Sequence, residues 1–151
     1  MKIAIGNDKF GFRYKHSMVN ELLNMGHNII DVGIHDETIN VDQFDIVLRV
    51  AKGLLSQEYE RVILLSETGI GMALAANKIK GLYAAACNDI QMIHESIVIN
   101  NCNVLCLGSK HIDSIFSDKL VEYWLALKYD PDGEYAANGP NIKKLEERWF
   151  S

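Results

Sequence analysis

Residues 61–71 read RVILLSETGIG, and the fold is decided by this stretch. Arg61 to Leu65 is a short aliphatic run, the composition of a strand buried on both faces. It stops at Ser66-Glu67-Thr68-Gly69-Ile70-Gly71, and Met72 to Ile79 (MALAANKI) then takes up helical spacing. A strand, a glycine turn and a helix in that order open a βαβ unit. Outward from it, the same alternation repeats. Lys2 to Gly6 (KIAIG), Asn28 to Val32 (NIIDV), Leu82 to Cys87 and Val104 to Leu107 (VLCL) are the other predicted strands. Between them, Tyr14, Met18, Leu22 and Met25 mark a helix over 12–25 that Gly26 can cap. Phe44, Val47, Leu48, Ala51, Leu54 and Leu55 form a second amphipathic stripe. Helices over 90–98 and 112–127 follow, and a polar break over 129–140 leads to a terminal helix over 141–150. The pattern predicts one α/β domain with a five-stranded parallel sheet and helices on both faces.

Composition narrows the function. The chain has 151 residues, 48% hydrophobic and 23% charged, enough for one full core without a disulfide or metal staple. Its net charge of −5, from 15 basic and 20 acidic residues, argues against nucleic acid as a partner. The start MKIAIGNDKF turns polar too early for a signal peptide, and no apolar run is long enough for a membrane helix. Cys87, Cys102 and Cys106 match no zinc spacing and read as reduced thiols. The expectation is a cytoplasmic protein without a membrane partner.

In a parallel sheet, ligands gather beyond the carboxyl ends of the strands, at a switch in strand order. That singles out residues 6–9, 33–38, 66–71, 87–89 and 108–111. The turn over 66–71 could hold an anion or an oxyanion on its free N–H groups, or be a tight βα turn that merely needs glycine. It is neither a P-loop nor a dinucleotide fingerprint. Asp8 could bind hydroxyls or shuttle a proton, or cap the next helix; Lys9 could meet a phosphate or stay solvated. The five histidines, His16, His27, His35, His94 and His111, are scattered and read as surface or helix-end residues.

KIAIGNDKFGFRYKH, NIIDVG, SETGIGMALAANKIKGLYAAACND and NNCNVLCLGSK, in this order and spacing, resemble the type B ribose-5-phosphate isomerases and the galactose-6-phosphate isomerase subunits. The resemblance spans nearly the whole chain. It implies a Rossmann-like three-layer sandwich and aldose–ketose isomerisation of a phosphorylated sugar through a cis-enediolate, with no metal and no nucleotide cofactor. It also implies a homodimer or dimer of dimers with each active site built from two subunits, to which the helix over 141–150 would contribute contacts. Asp8 matches the sugar-contacting aspartate. Thr68, Gly69 and Gly71, with Ile70 between them, match the oxyanion loop, and Thr68 also stands where the family has a ring-opening helper. Asn100 matches the asparagine that reaches the sugar from the neighbouring subunit.

Against the same pattern, this chain departs at the chemistry. Ser66 replaces the cysteine base of most members, and Met72 the glutamate of others. Lys9 and Ile99 stand where the family has histidines. Ala137 and Asn141 fall near the two phosphate-clamping arginines, beside an insertion over 130–139. Two compensations are on offer. Glu67 could act as general base beside Ser66, and Lys9, Lys110, Lys143, Lys144 and Arg148 could supply positive charge. Three readings stay open: an active isomerase with a rebuilt site, a base-lacking subunit working with a cysteine-bearing paralogous subunit, and a protein that only binds a sugar phosphate.

Overall fold

The structure is a computed structural model that describes residues 1–150. Five strands, β1 (Lys2–Asn7), β2 (Asn28–Asp31), β3 (Arg61–Ser66), β4 (Ala84–Ala86) and β5 (Val104–Gly108), form one parallel sheet in the order β2-β1-β3-β5-β4. Alternation of side chains along each strand splits the core in two. Ile3, Ile5, Ile63, Leu65, Leu105 and Leu107 face Met18, Leu22 and Trp124 of helices α1 (Phe12–Asn24) and α5 (Ser114–Ala126). Ala4, Val62, Leu64, Val104 and Cys106 face Ile46, Val50, Met72 and Ala76 of α2 (Gln43–Leu55) and α3 (Ile70–Ala76). The three-layer α/β sandwich expected from the pattern is therefore present.

Local chemistry adjusts several boundaries. A single 3-10 turn (Lys9–Gly11) precedes α1, because Asp8 accepts from the Phe10 and Gly11 N–H groups. Strand β4 is three residues long rather than six, and α3 ends at Ala76, short of Ile79. The Asn77 amide bonds both the N–H and the C=O of Ala84, which occupies backbone groups beside this edge strand. The helix predicted over 90–98 begins as α4 (Ile90–His94) and widens into a π-helix, Glu95–Ile99. The last helix, α6, runs Asn138–Trp149, three residues earlier than expected, with Pro140 in its first turn, where a missing N–H leaves no bond broken. Glu146 ties α6 to the body by accepting from the Gly81 N–H at 2.8 Å and the Tyr83 hydroxyl at 2.7 Å. No helix among the described residues is long and apolar enough to cross a membrane.

Arg61 at the start of β3 closes the far end of the sheet. Its guanidinium donates to the carbonyls of Trp124 (2.6 Å) and Leu127 (2.7 Å) at the exit of α5 and lies 5.0 Å from the Trp124 ring centroid. Cations at a helix C-terminus satisfy its orphan carbonyls and its dipole. Arg61→Met should cost about 2 kcal/mol in urea unfolding, since two charge-assisted bonds are lost while the aliphatic stem is kept.

Candidate active site

The chain leaves β1 for β2 on one side and β3 for β4, beyond β5, on the other, so the switch point lies between the carboxyl ends of β1 and β3. A cleft of about 350 Å³ opens there, lined by Asp8, Phe10, Asn40, Val41, Asp42, Gln43, Phe44, Ser66, Glu67, Thr68 and Gly71. The structure thus brings together Asp8, Ser66, Glu67, Thr68 and Gly71 from the sequence-predicted set. Residues 40–44 are the wall that sequence reading missed. They follow β2, whose carboxyl end neighbours that of β1, and the segment flagged there stopped at Thr38.

Asp8 is almost fully buried. Its N–H donates to the Leu65 carbonyl, and its Oδ1 accepts from Phe10 N (2.9 Å) and Gly11 N (3.3 Å). It does both things considered for it: it caps the next turn and it lines the cleft. Burial pushes its carboxyl above the ordinary aspartate range; the two N–H bonds and Lys9 pull it back, and the negative charge of Glu67 adds to the rise.

The turn over 66–71 is held by its own side chains. Ser66 Oγ accepts from Gly69 N at 2.9 Å, and Thr68 Oγ1 from Ile70 N at 3.2 Å. Gly69 has φ +77°, a conformation that disfavours any side chain. Below the turn, Ser109 N and Lys110 N donate to the carbonyls of Ser66 and Glu67, both at 2.9 Å. Gly71 and Met72 N–H have no acceptor among the described residues. Glu67 is exposed at the cleft, whereas Met72 is fully buried in the core.

Other predicted residues lie elsewhere. Ile70 lines a separate cleft of about 210 Å³ across the turn, with Cys87, Asn88, Met92 and His111. Burial pushes the Cys87 thiol up to about 11, so it stays protonated near neutrality and is a poor nucleophile or base. Lys9 is exposed, its Nζ 5.1 Å from the centroid of the Phe10 ring that walls the first cleft. Lys110 is exposed and its side chain lines none of these clefts. Asn100 is also outside the Asp8 cleft: it borders a third, of about 310 Å³, with Tyr83, Cys102 and Ile142. The π-helix and the positive φ of Asn101 (+54°) present it there, held by bonds to the Glu95 carbonyl and the Asn138 amide. No lysine, arginine or histidine lines the Asp8 cleft.

Comparison with known proteins completes the picture. The family model described as Ribose/Galactose Isomerase matches residues 3–142. The chain is 32% identical over 148 residues to D-erythrulose-4-phosphate isomerase 2 of Mycolicibacterium smegmatis, covering 97% of each chain. It is 35% identical over 125 residues to 4-deoxy-4-sulfo-D-erythrose isomerase of a Clostridium species, covering 83% of this chain and 79% of that one. The ribose-5-phosphate isomerase B structure of Clostridium thermocellum superposes with a TM-score of 0.91 at 33% identity, over 99% of both chains. Such agreement, over the whole sheet and both helical layers, shows that the chain belongs to the ribose/galactose isomerase family.

Proposed function

We propose that the Asp8 cleft interconverts the aldose and ketose forms of a phosphorylated sugar through a cis-enediolate. One observation carries this reading: two carboxylates, Asp8 and Glu67, meet a glycine turn with unpaired N–H groups at the switch point of the sheet. Glu67 takes the proton from the carbon beside the carbonyl and returns it to the neighbouring carbon. Asp8 moves the proton between the two oxygens, and the turn's amides hold the oxyanion that forms between these steps. Thr68 and Gly69 fix that turn. Ser66 keeps it in shape; its hydroxyl already accepts from Gly69 and is a far weaker base than a carboxylate.

The substrate's phosphate needs positive charge that the cleft walls do not provide. Lys9 at the rim supplies one cation. Others come from a second subunit, in a homodimer, a dimer of dimers or a pair with a cysteine-bearing paralogue. Two features support that assembly: Asn100 faces a different cleft, and α6 exposes Leu145 (59%) and Trp149 (72%) beside Lys143, Lys144 and Arg148.

Among candidate substrates, a four-carbon sugar 4-phosphate stands first, ahead of ribose 5-phosphate and galactose 6-phosphate. Three relatives are named for four-carbon substrates. A four-carbon sugar blocked at C4 cannot close a furanose ring, so it needs no group to open one, and the cleft holds no imidazole.

The test is an isomerase assay of the purified chain on D-erythrulose 4-phosphate, ribose 5-phosphate and galactose 6-phosphate, with Glu67→Gln alongside. The expected result is turnover best on the four-carbon substrate, with kcat about 10²- to 10³-fold lower in the glutamine variant. Full kcat in that variant would remove Glu67 from the chemistry. Calorimetric binding without turnover would favour a binding protein, and turnover restored by a cysteine-bearing paralogue would favour a subunit.

A further inference from the structure

A buried polar network stands directly behind Asp8. Asn7 has no solvent exposure, yet its amide is fully used: Nδ2 donates to the Asp8 carbonyl at 2.9 Å, and Oδ1 accepts from the Ile34 N–H at 3.1 Å. One side chain thus joins the residue that enters the cleft to the turn that follows β2. Gly33 shows how close the approach is, since a Cβ there would lie 1.9 Å from Asn7 Oδ1 and 2.8 Å from the Asn7 nitrogen. The far side of the turn is held by Lys15, only 4% exposed. Its ammonium pairs with Asp31 (3.0 Å to Oδ2, 3.2 Å to Oδ1) and donates to the Ile34 carbonyl, while Asp31 Oδ1 accepts from Gly33 N at 2.9 Å. A buried lysine paired and bonded in this way holds a single geometry, because every alternative leaves a charge without a partner.

We infer that Asn7, backed by the Lys15–Asp31 pair, is a positioning residue that fixes Asp8 against the turn that follows β2. This rests on the reading that the Asp8 carboxylate works in the cleft. Misplacing a reacting group by about 1 Å can cost up to about 10²-fold in rate. Asn7→Ala opens room for water behind Asp8 and frees the turn at residue 34.

The experiment compares wild type with Asn7→Ala, Lys15→Met, Asp8→Asn and Arg61→Met. It reads kcat, the acid limb of the kcat/KM profile, and the Asp8 carboxyl titration followed by carbon NMR. Lys9 and Glu67 are the charged groups coupled to that carboxyl, and neither is altered by these variants. Asn7→Ala should lower kcat roughly 10- to 100-fold and Lys15→Met roughly threefold to tenfold, with the Asp8 titration moving toward ordinary aspartate values as water enters. Arg61→Met, destabilised at the other end of the sheet, should keep kcat and the acid limb, which separates positioning from a general loss of stability. If Asp8→Asn is inactive while Asn7→Ala keeps its kcat and its Asp8 titration, the inference fails alone. If Asp8→Asn turns over normally, the role of Asp8 and the inference fall together. The NMR titration decides the structural half even in a chain that needs a partner for turnover: an unmoved Asp8 in Asn7→Ala overturns it.

Discussion

Asp8→Asn should lower kcat/KM by at least about 10³-fold and at the same time raise the melting temperature at pH 7. The first half follows from its position: Asp8 is the one carboxylate that β1 delivers into the cleft, and asparagine cannot shuttle a proton. The second half follows from burial, which lifts the Asp8 carboxyl above the ordinary range, outweighing the Phe10 and Gly11 N–H bonds, with Glu67 reinforcing the rise. An aspartate whose folded pKa exceeds its unfolded one contributes stability that is complete below the unfolded value and lost as pH rises through the folded one. At neutral pH the ionised group therefore weighs against the fold. Asparagine removes that charge and keeps an oxygen for Phe10 and Gly11, so its advantage should shrink as the pH falls through the folded pKa. Over the same interval, wild-type turnover should fall as Asp8 takes up its proton. Thermal melts of both proteins from pH 3 to 8 check the stability half; a variant that melts lower than wild type at pH 7 would contradict it.

The same variant reads out the assembly. If Asp8 and Asn100 of different subunits share a site, Asp8→Asn and Asn100→Ala are each impaired alone. Unfolded together and refolded as mixed dimers, they should recover about a quarter of the wild-type sites, because half the dimers are mixed and each carries one intact site. No recovery on mixing would place both residues in one subunit's site or remove Asn100 from it.

How much of this was legible beforehand depends on what kind of signal each part leaves. Runs such as Arg61–Leu65 and Lys2–Gly6 show as strands because a parallel sheet is buried on both faces, and they give the layers directly. The turn over 66–71 shows because glycine at φ +77° has few substitutes. The wall over 40–43 leaves no such mark. Asp42 looks like the helix cap it also is, accepting from Phe44 N, and Gln43 looks like a surface residue. What puts them in the cleft is that β2 pairs with β1, a tertiary fact. Asn7 lies in the segment 6–9 that the end of β1 singles out, but its role is silent there: it is one polar residue at the end of an apolar strand, whose meaning depends on Ile34, 27 positions away. The π-helix before Asn100 escaped because one added residue per turn still reads as helical spacing over five residues.

Gly108→Ala is expected to separate the turn over 66–71 from the sheet. A Cβ on Gly108 would lie 2.5 Å from the Thr68 carbonyl carbon and 2.6 Å from its Cα and oxygen. These are backbone atoms, so no side-chain rotation relieves the contact. Nor can the turn pivot freely, since Ser109 N and Lys110 N hold the Ser66 and Glu67 carbonyls directly ahead of Thr68. The turn over 66–71 must then rise from β5 by about 1 Å, carrying Glu67 and Thr68 away from Asp8, which stays with β1. A displacement of that size should cost about 10²-fold in kcat and on the order of 1–3 kcal/mol in stability. Gly26→Ala is the matching control: its φ of +87° also disfavours alanine, but nothing lies within 4 Å of the added carbon. It should lose about 1 kcal/mol and no activity. Urea midpoints with kcat for both variants separate backbone strain from displacement of the turn. Equal kcat in the two would mean that the contact between β5 and the turn supports the fold without placing Glu67.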